Sequence, residues 1–559
     1  HRPAVCQGGQ GVLKGKTAMN RQEQIQSIFP DETEIPSDLL SDLPVQIDHY
    51  LVDGKLVPWQ GPMAEAVSPV RVWNRETLTP RLIGRYPLLS AKQALTALGA
   101  AILAYDNGRG LWPTFSVGQR IRHVQDFVAG MMQQRSKIVR LLMWEIGKSR
   151  SDSIKEFDRT VEYIQDTVDA LKDLDRVSSR FVMVQNIIGQ IRRAPLGVVL
   201  CMGPFNYPLN ESLTTLIPAL IMGNTAIFKP PKHGVMLYGP LLETFRDAFP
   251  PGVVNILFGA GRSIVPPLMA SARINVLALI GSSGTANEIR KQHPKPNRMR
   301  CVLGMEAKNA GIVLPDADPD LTAAEVLQGC LSFNGQRCTA LKIIFVHKSR
   351  VDIFLDRLCR AIDALTIGMP WKEKVMITPL PEPGKPAYLA GLVEDACEMG
   401  AQIVNACGGR IHESFYYPAV LYPVTDRMRV YREEQFGPVI PVLGFSDIQT
   451  PIDYLTASDY GQQLSIFGND PDTIARLIDP LVNQVCRVNL NSQCQRGPDS
   501  FPFTGRKDSA EGTLSVSDAL RAFSIRTLVA ARNTEANRAI INNIVREHKS
   551  NFLSTDFIL

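Results

Sequence analysis

Between residues 86 and 175 apolar positions recur every three or four residues. In SIKEFDRTVEYIQDTVDAL, Ile154, Phe157, Val161, Ile164, Val168 and Leu171 keep that spacing, which gathers them on one face of a helix. The rhythm changes after residue 196. Short continuous apolar runs follow, GVVLCM (197–202), TAIFKPP (225–231), VVNILFGAG (253–261) and INVLALIGSSG (274–284), separated by helical stretches. Runs this short, alternating with helices, predict βαβ units and a parallel sheet. Glycines and polar residues gather where each strand ends, the place where an open α/β sheet binds ligands. From about residue 300 the pattern restarts with AGIVLPDAD (310–318), KIIFVHKS (342–349), VIPVLGF (439–445), LSIFGND (464–470) and CRVNLN (486–491). These predict a second α/β domain, with PLPEPGKP (379–386) as a surface connection.

Two segments fit neither domain. RFVMVQNIIGQIRRAP (180–195) and SNFLSTDFIL (550–559) both read as extended and apolar. An exposed apolar strand invites aggregation, so pairing with a second subunit is expected, and with it a homo-oligomer. The division that follows is an N-terminal extension, flexible, over 1–40; a first domain over 41–177 and 196–300; a second over 301–515; and oligomerisation segments over 178–195 and 516–559. The first residues, HRPAVCQGGQGVLKGKTAM, lack an apolar core and read as an upstream extension before Met19 rather than a signal peptide.

Composition narrows the function classes. The 559 residues are 45% hydrophobic and 21% charged, ordinary for a globular chain. A net charge of +5, from 60 Lys+Arg against 55 Asp+Glu, gives no argument for nucleic acid, although arginines held in one cleft suit a small anion. The ten cysteines show no CxxC pair and no zinc-type spacing with histidine, which predicts no metal and a reducing compartment. The longest apolar run, LTTLIPALIMGNTAIF (213–228), is broken by Pro218, Gly223 and Asn224, so no membrane span is expected.

One short stretch carries candidate chemistry. LSFNGQRCTA (331–340) sets Cys338 directly after Arg337. Cysteine attacks as the thiolate, which a nearby cation favours. Adjacent residues of an extended chain point to opposite faces, so Arg337 is free to serve another ligand. Alone, Cys338 reads more readily as a buried structural thiol.

Six motifs occur in order: GPFNYP (203–208), FKPP (228–231), GSSG (281–284), FNGQRC (333–338), EEQFGP (433–438) and FPFTGRKDSA (501–510). Together they resemble the aldehyde dehydrogenase superfamily over roughly residues 45–530, and most nearly its NADP-dependent, non-phosphorylating glyceraldehyde-3-phosphate dehydrogenases. The resemblance implies an α/β fold with a Rossmann-type cofactor domain, an α/β catalytic domain and a small β oligomerisation segment, assembled as a cytoplasmic tetramer. It implies oxidation of glyceraldehyde 3-phosphate to 3-phosphoglycerate, without inorganic phosphate, through a thiohemiacetal and thioester on Cys338. Asn206 and the Cys338 N–H would hold the oxyanion. Lys229 would lie at the adenosine ribose. Three positions on, where NAD-preferring relatives carry an acid, stands Lys232, and a cation there favours the 2′-phosphate of NADP. Gly281 and Ser282 would lie by the pyrophosphate, with Ala286 where the family commonly has glycine, and Glu434 and Phe436 would hold the nicotinamide ribose and ring. Arg159, Tyr207, Arg337 and Arg496 match the four positions that bind the substrate phosphate. Guanidinium forks suit that group because they make charge-assisted, often bidentate bonds.

The pattern breaks at one place. The family's water-activating glutamate lies 34 positions before the cysteine, where this chain has Gly304, in LGMEAKN. Glu306 stands two residues on. In an extended segment it would share the face of the missing carboxylate, displaced by about 6–7 Å, and is the candidate base. Three alternatives stay open: transfer of the acyl group to coenzyme A, an aldehyde dehydrogenase of different substrate, or a catalytically silent nucleotide-binding paralogue.

Overall fold

The computed structural model describes residues 20–558. Its largest sheet has eight strands, ordered Ala510–Glu511, Arg300–Gly304, Val276–Ile280, Val198–Met202, Thr225–Lys229, Val254–Ile256, His49–Val52 and Lys55–Pro58. The five strands from Arg300–Gly304 to Val254–Ile256 run parallel. They are the apolar runs of the sequence, and Val198–Met202 is buried at every position, as a strand covered on both faces requires. The chain lays down Val198–Met202, adds Thr225–Lys229 and Val254–Ile256 on one side, then crosses to the other for Val276–Ile280 and Arg300–Gly304. The direction of winding therefore reverses beside Val198–Met202. The carboxyl ends at Met202 and Ile280 open the crevice that such a reversal creates.

A second sheet of seven strands runs Gln402–Ile403, Ala419–Tyr422, Val439–Phe445, Leu341–His347, Asn309–Val313, Gln463–Phe467 and Arg487–Leu490. All but Gln402–Ile403 are parallel. The predicted helical stretch contains the helix Arg150–Ser178, capped by Ser149, whose hydroxyl accepts the Asp152 N–H at 3.1 Å. Phe157, Ile164, Val168 and Leu171 are buried as the spacing predicts; Ile154 and Val161 are half-buried, and Thr160, Tyr163 and Thr167 complete the inward face.

Four boundaries differ from expectation. The strand Arg300–Gly304 completes the first sheet and Ala510–Glu511 joins it from far along the chain, so a division at 300 cuts through a strand. Residues 20–40 are not a flexible extension. Asn20 forms a capping box with Glu23 at the helix Arg21–Gln26, and Ile25, Ile28, Phe29, Ile35 and Leu39 are buried in the core; the rest of that expectation falls on 1–19, outside the described residues. Residues 45–87 build a small sheet of their own rather than part of the first domain's sheet, except for His49–Val52 and Lys55–Pro58. Finally, the tail is not a strand. After Ser524–Arg532 comes the helix Glu535–Arg546, and the chain then folds back on itself. Gln190 exchanges two hydrogen bonds with Ser554, at 2.6 and 3.2 Å, and Arg192 donates to the Phe552 carbonyl at 3.2 Å. The two candidate oligomerisation segments do come together: Phe181–Val184, Ile187–Pro195 and Ser524–Arg532 form one antiparallel sheet of three strands, with Met183, Val184, Ile525 and Leu528 exposed. Among the described residues no helix is long and apolar enough to cross a membrane.

Candidate active site

A cavity of about 1540 Å³ lies between the two large sheets. The carboxyl ends of the first supply Met202–Asn206 and Ile280–Ser282; Cys338, Glu434, Phe436 and Tyr460 come from turns that lead into strands of the second.

The Cys338 turn is fixed from several sides. Phe333, Asn334 and Gly335 are all left-handed, with φ of 48°, 56° and 71°. A β-carbon on Gly335 would fall 2.6 Å from the Cys330 carbonyl oxygen and 2.8 Å from that of Gly437, so only glycine fits. Asn334 donates to Thr378 Oγ1 at 3.0 Å and accepts the Thr378 N–H at 2.9 Å. The Cys338 carbonyl takes bonds from Asn309 Nδ2 and Lys342 Nζ, each at 2.8 Å. The thiol faces the cavity. Burial pushes its pKa up and the Glu211 carboxylate pushes it further; Lys342 and Arg496 pull it down. The cations that act on the thiol are thus these two, and Arg337 is not among them, as the opposite facing of adjacent residues suggested.

Asn206 is buried and donates one amide hydrogen to the Gln336 carbonyl at 2.8 Å. A side-chain amide has two. The second amide hydrogen and the Cys338 N–H donate to nothing among the described residues, and both residues line the cavity. Lys148, missed by sequence reasoning, holds this loop. Its ammonium is fully buried, pairs with Glu156, donates to the Asn206 carbonyl at 2.7 Å and lies 3.7 Å from the centre of the Tyr207 ring. Glu156 in turn accepts the N–H groups of Leu209 and Asn210 at 3.0 and 3.2 Å, at the start of the helix Asn210–Ile221. Asn206→Ala is expected to lower turnover by about 10²–10³-fold, the loss typical of one oxyanion donor, with only the destabilisation of about 1–3 kcal/mol that an unpaired Gln336 carbonyl brings.

At the other end of the cavity the exposed Ser282 caps the helix Ser283–Lys291 and accepts the Thr285 N–H at 3.2 Å. Gly281 donates to the Gly304 carbonyl at 2.9 Å, and Ala286 is fully buried. Burial pushes the Lys229 ammonium down to about 8, and its one hydrogen bond goes to the Pro230 carbonyl at 2.8 Å. Lys232 and Arg262 stand at the rim; Arg262 gave no signal in the sequence. A desolvated ammonium with no carboxylate partner among the described residues, two more cations and the free Gly284 N–H at the helix start fit a phosphorylated dinucleotide. Glu434 is held by Lys342 at 2.7 Å and by the Ala307 N–H at 3.0 Å. Phe436 sits edge-on to Phe205 at 5.9 Å.

Glu306 is placed differently from expectation. The strand ends at Gly304, so alternation does not carry on to Glu306. Its carboxylate turns to the helix start and accepts the Ser283 N–H at 2.8 Å. It lines the same cavity as Cys338 but is not among the charges that act most on the thiol.

The four anion candidates cluster, though with partners of their own. Arg159 grips Asp499 bidentately at 3.0 and 2.8 Å. Arg496, buried, pairs with Glu211, lies 3.2 Å from Asp499 and stacks 4.7 Å from the Phe503 ring. Arg337 donates to the Gly329 carbonyl at 3.3 Å and Gln493 Oε1 at 3.4 Å, and its buried Nε has no partner among the described residues. Burial raises the Tyr207 phenol, against Arg337 and Arg159 nearby. None of the four lines the cavity that holds Cys338; Arg159 opens instead onto a neighbouring cavity of about 510 Å³, with Asp499. Asp499 was legible in QRGPDSFPF, and Glu211 as a lone acid at the head of an apolar helix.

The aldehyde dehydrogenase family model matches residues 65–529. An NADP-dependent glyceraldehyde-3-phosphate dehydrogenase of Streptococcus equinus is 31% identical over 457 residues, covering 81% of this chain and 92% of its own length. Its namesake in Arabidopsis thaliana is 31% identical over 428 residues, covering 75% and 84%. The solved structure of the NADP-dependent glyceraldehyde-3-phosphate dehydrogenase of Bacillus halodurans, complexed with NADP, superposes with a TM-score of 0.79 at 29% identity, over 87% of this chain and 99% of that one. With the crevice between two α/β sheets and the cysteine turn in place, these matches show that the chain belongs to the aldehyde dehydrogenase family.

Proposed function

We propose that the protein oxidises glyceraldehyde 3-phosphate to 3-phosphoglycerate, with NADP as cofactor and no inorganic phosphate. NADP, when bound, supplies the acceptor for the hydride. Lys229, Lys232 and Arg262 would hold its 2′-phosphate, and the Gly284 amide at the start of the helix Ser283–Lys291 would meet its pyrophosphate. Cys338 adds as thiolate to the aldehyde carbon, and Asn206 Nδ2 with the Cys338 N–H meets the oxyanion that forms. Oxidation leaves a thioester on Cys338, which water cleaves.

The observation that carries the phosphate part is the clustering of three guanidinium groups around Tyr207 and Asp499 behind the cysteine turn. Three cations face two carboxylates, Glu211 and Asp499, and the orphaned Arg337 Nε is a donor awaiting an acceptor. The names of the relatives point the same way. A tetramer is part of this reading, supported by the exposed apolar residues of the three-stranded sheet, and so is a cytoplasmic site, supported by the nine described cysteines being free thiols. Gly304 favours one second reading, with coenzyme A as acyl acceptor.

The test is NADPH formation with glyceraldehyde 3-phosphate, with and without inorganic phosphate and coenzyme A, against unphosphorylated glyceraldehyde. The phosphorylated aldehyde should react at least about tenfold faster, the worth of one hydrogen bond to a charged group, with neither addition required. Equal rates on both aldehydes would remove the phosphate anchor; dependence on coenzyme A would select the second reading.

A further inference from the structure

We propose that Glu211 is the carboxylate that activates the water which releases the acid from Cys338. The inference rests on the thioester reading above. Hydrolysis needs a proton acceptor within reach of the water. As the water oxygen bonds to the carbonyl carbon its proton passes to the carboxylate; the tetrahedral adduct then breaks its C–S bond and sulfur leaves as thiolate.

The acids around the cavity can be compared by what already holds them. Glu306 is bound to the Ser283 N–H at 2.8 Å. Glu434 is bound by Lys342 and the Ala307 N–H. Glu433 is gripped by Arg429 at 2.8 and 3.0 Å. Glu382 pairs with Lys385 at 3.4 Å, and Glu288 with Lys291 at 3.1 Å on the outer surface. Glu211 differs. It is buried in the cavity wall beside Cys338 and Asn206, and it is the foremost charge acting on the thiol. Arg496 anchors its Oε1, and no group among the described residues donates to Oε2. One oxygen is fixed and the other is open to a water.

The electrostatics suit the second half of the reaction. A carboxylate beside a thiolate is repelled by it, which hinders acylation. Once the sulfur is acylated it carries no charge, so the repulsion disappears when the need for a proton acceptor begins.

Rapid mixing separates the halves. In Glu211→Gln the initial NADPH burst, about one per active site, should persist, while steady turnover falls by about 10²-fold or more, the range of general-base catalysis. The acyl group should accumulate on Cys338, seen as added mass on the intact protein. Hydroxylamine, a nucleophile that needs no base, should restore turnover. Glu211→Asp, which keeps the charge and withdraws it, should retain the burst with intermediate turnover, whereas any change in Glu306→Gln, which touches the helix start at Ser283, should fall on the burst and the steady rate alike. Unchanged turnover in Glu211→Gln, a burst slowed as much as the steady rate in both Glu211 variants, or the burst-then-stall pattern in Glu306→Gln would overturn the assignment. An enzyme that gains no acyl mass on Cys338, in quenched wild type or in Glu211→Gln, would sink the thioester reading and this inference with it; acyl mass on wild-type Cys338 with normal Glu211→Gln turnover sinks this inference alone.

Discussion

Cys338→Ser should lose aldehyde oxidation by at least about 10⁴-fold, as removal of a catalytic nucleophile does. Serine keeps the shape and polarity of the turn but not the acidity, since a hydroxyl is almost wholly protonated where a thiol begins to ionise. The fold should be untouched: the turn is fixed by Asn334, Gly335 and the bonds to the Cys338 carbonyl, none of which uses the side chain. Unchanged unfolding with lost activity is therefore the expected pair. The other thiols near the turn cannot stand in. Cys330 and Cys494 are buried, Cys494 being pushed up to about 11 by that burial, and neither lines the cavity. The wild-type thiol should also show its surroundings in alkylation by iodoacetamide. Burial and Glu211 raise its pKa above the ordinary cysteine value, and the thiolate exists only above that pKa, so the rate should still be climbing at mildly alkaline pH. Cys338→Ser should not be labelled at this position. Residual turnover above about 1% would mean that another group attacks the aldehyde.

Much of the fold was legible because buried parallel strands have a plain signature. Each predicted run, from GVVLCM to CRVNLN, overlaps a strand of one of the two large sheets. What escaped were contacts between distant parts of the chain. Ala510–Glu511 is two residues long and belongs to the first sheet only because Arg300–Gly304 offers it an edge; no local pattern announces that. The helix at Arg21–Gln26 is six residues long, too short for periodicity to declare, and is held by its cap and by burial of Ile25. The tail read as an apolar strand in search of a partner, but its partners are Gln190 and Arg192 of the same chain.

The site divides along similar lines. Cys338 and Asn206 sit in loops whose composition reflects their geometry, and motif order alone placed both in one cavity. Charges were harder. Sequence spacing identifies an arginine but not which carboxylate has taken it, so Asp499 and Glu211 as partners of Arg159 and Arg496 had to come from coordinates. Alternation rightly kept Arg337 off the thiol, but it also carried Glu306 onto the face of the missing carboxylate, whereas Glu306 follows a strand end and turns to the Ser283 N–H. Lys148 lay unnoticed in EIGKSR, where a lysine after a helix reads as solvated surface.

That lysine leads to the second large effect. Lys148→Met should destabilise the protein by about 3–5 kcal/mol, the usual result of stripping one partner from a buried ion pair. The methionine itself would fit among Tyr207 and Phe333, whose rings now lie 3.7 and 4.4 Å from the ammonium. The damage comes from what remains, a Glu156 carboxylate with no exposure to solvent and no cation. Burial already draws the Lys148 ammonium below its ordinary pKa, against the pull of Glu156, which shows how dry the site is. If the loss is electrostatic, neutralising the partner should relieve it: Lys148→Met with Glu156→Gln should unfold at higher denaturant than Lys148→Met alone, since the Gln oxygen can still accept the N–H groups of Leu209 and Asn210. A coupling of about 1–3 kcal/mol is expected for such contacts. Activity should not recover with stability, because the double variant still lacks the donor to the Asn206 carbonyl that holds the oxyanion loop in place. Urea unfolding of the four proteins in the cycle decides the first point and turnover the second; additive stabilities would show that Lys148 acts by packing, not by charge.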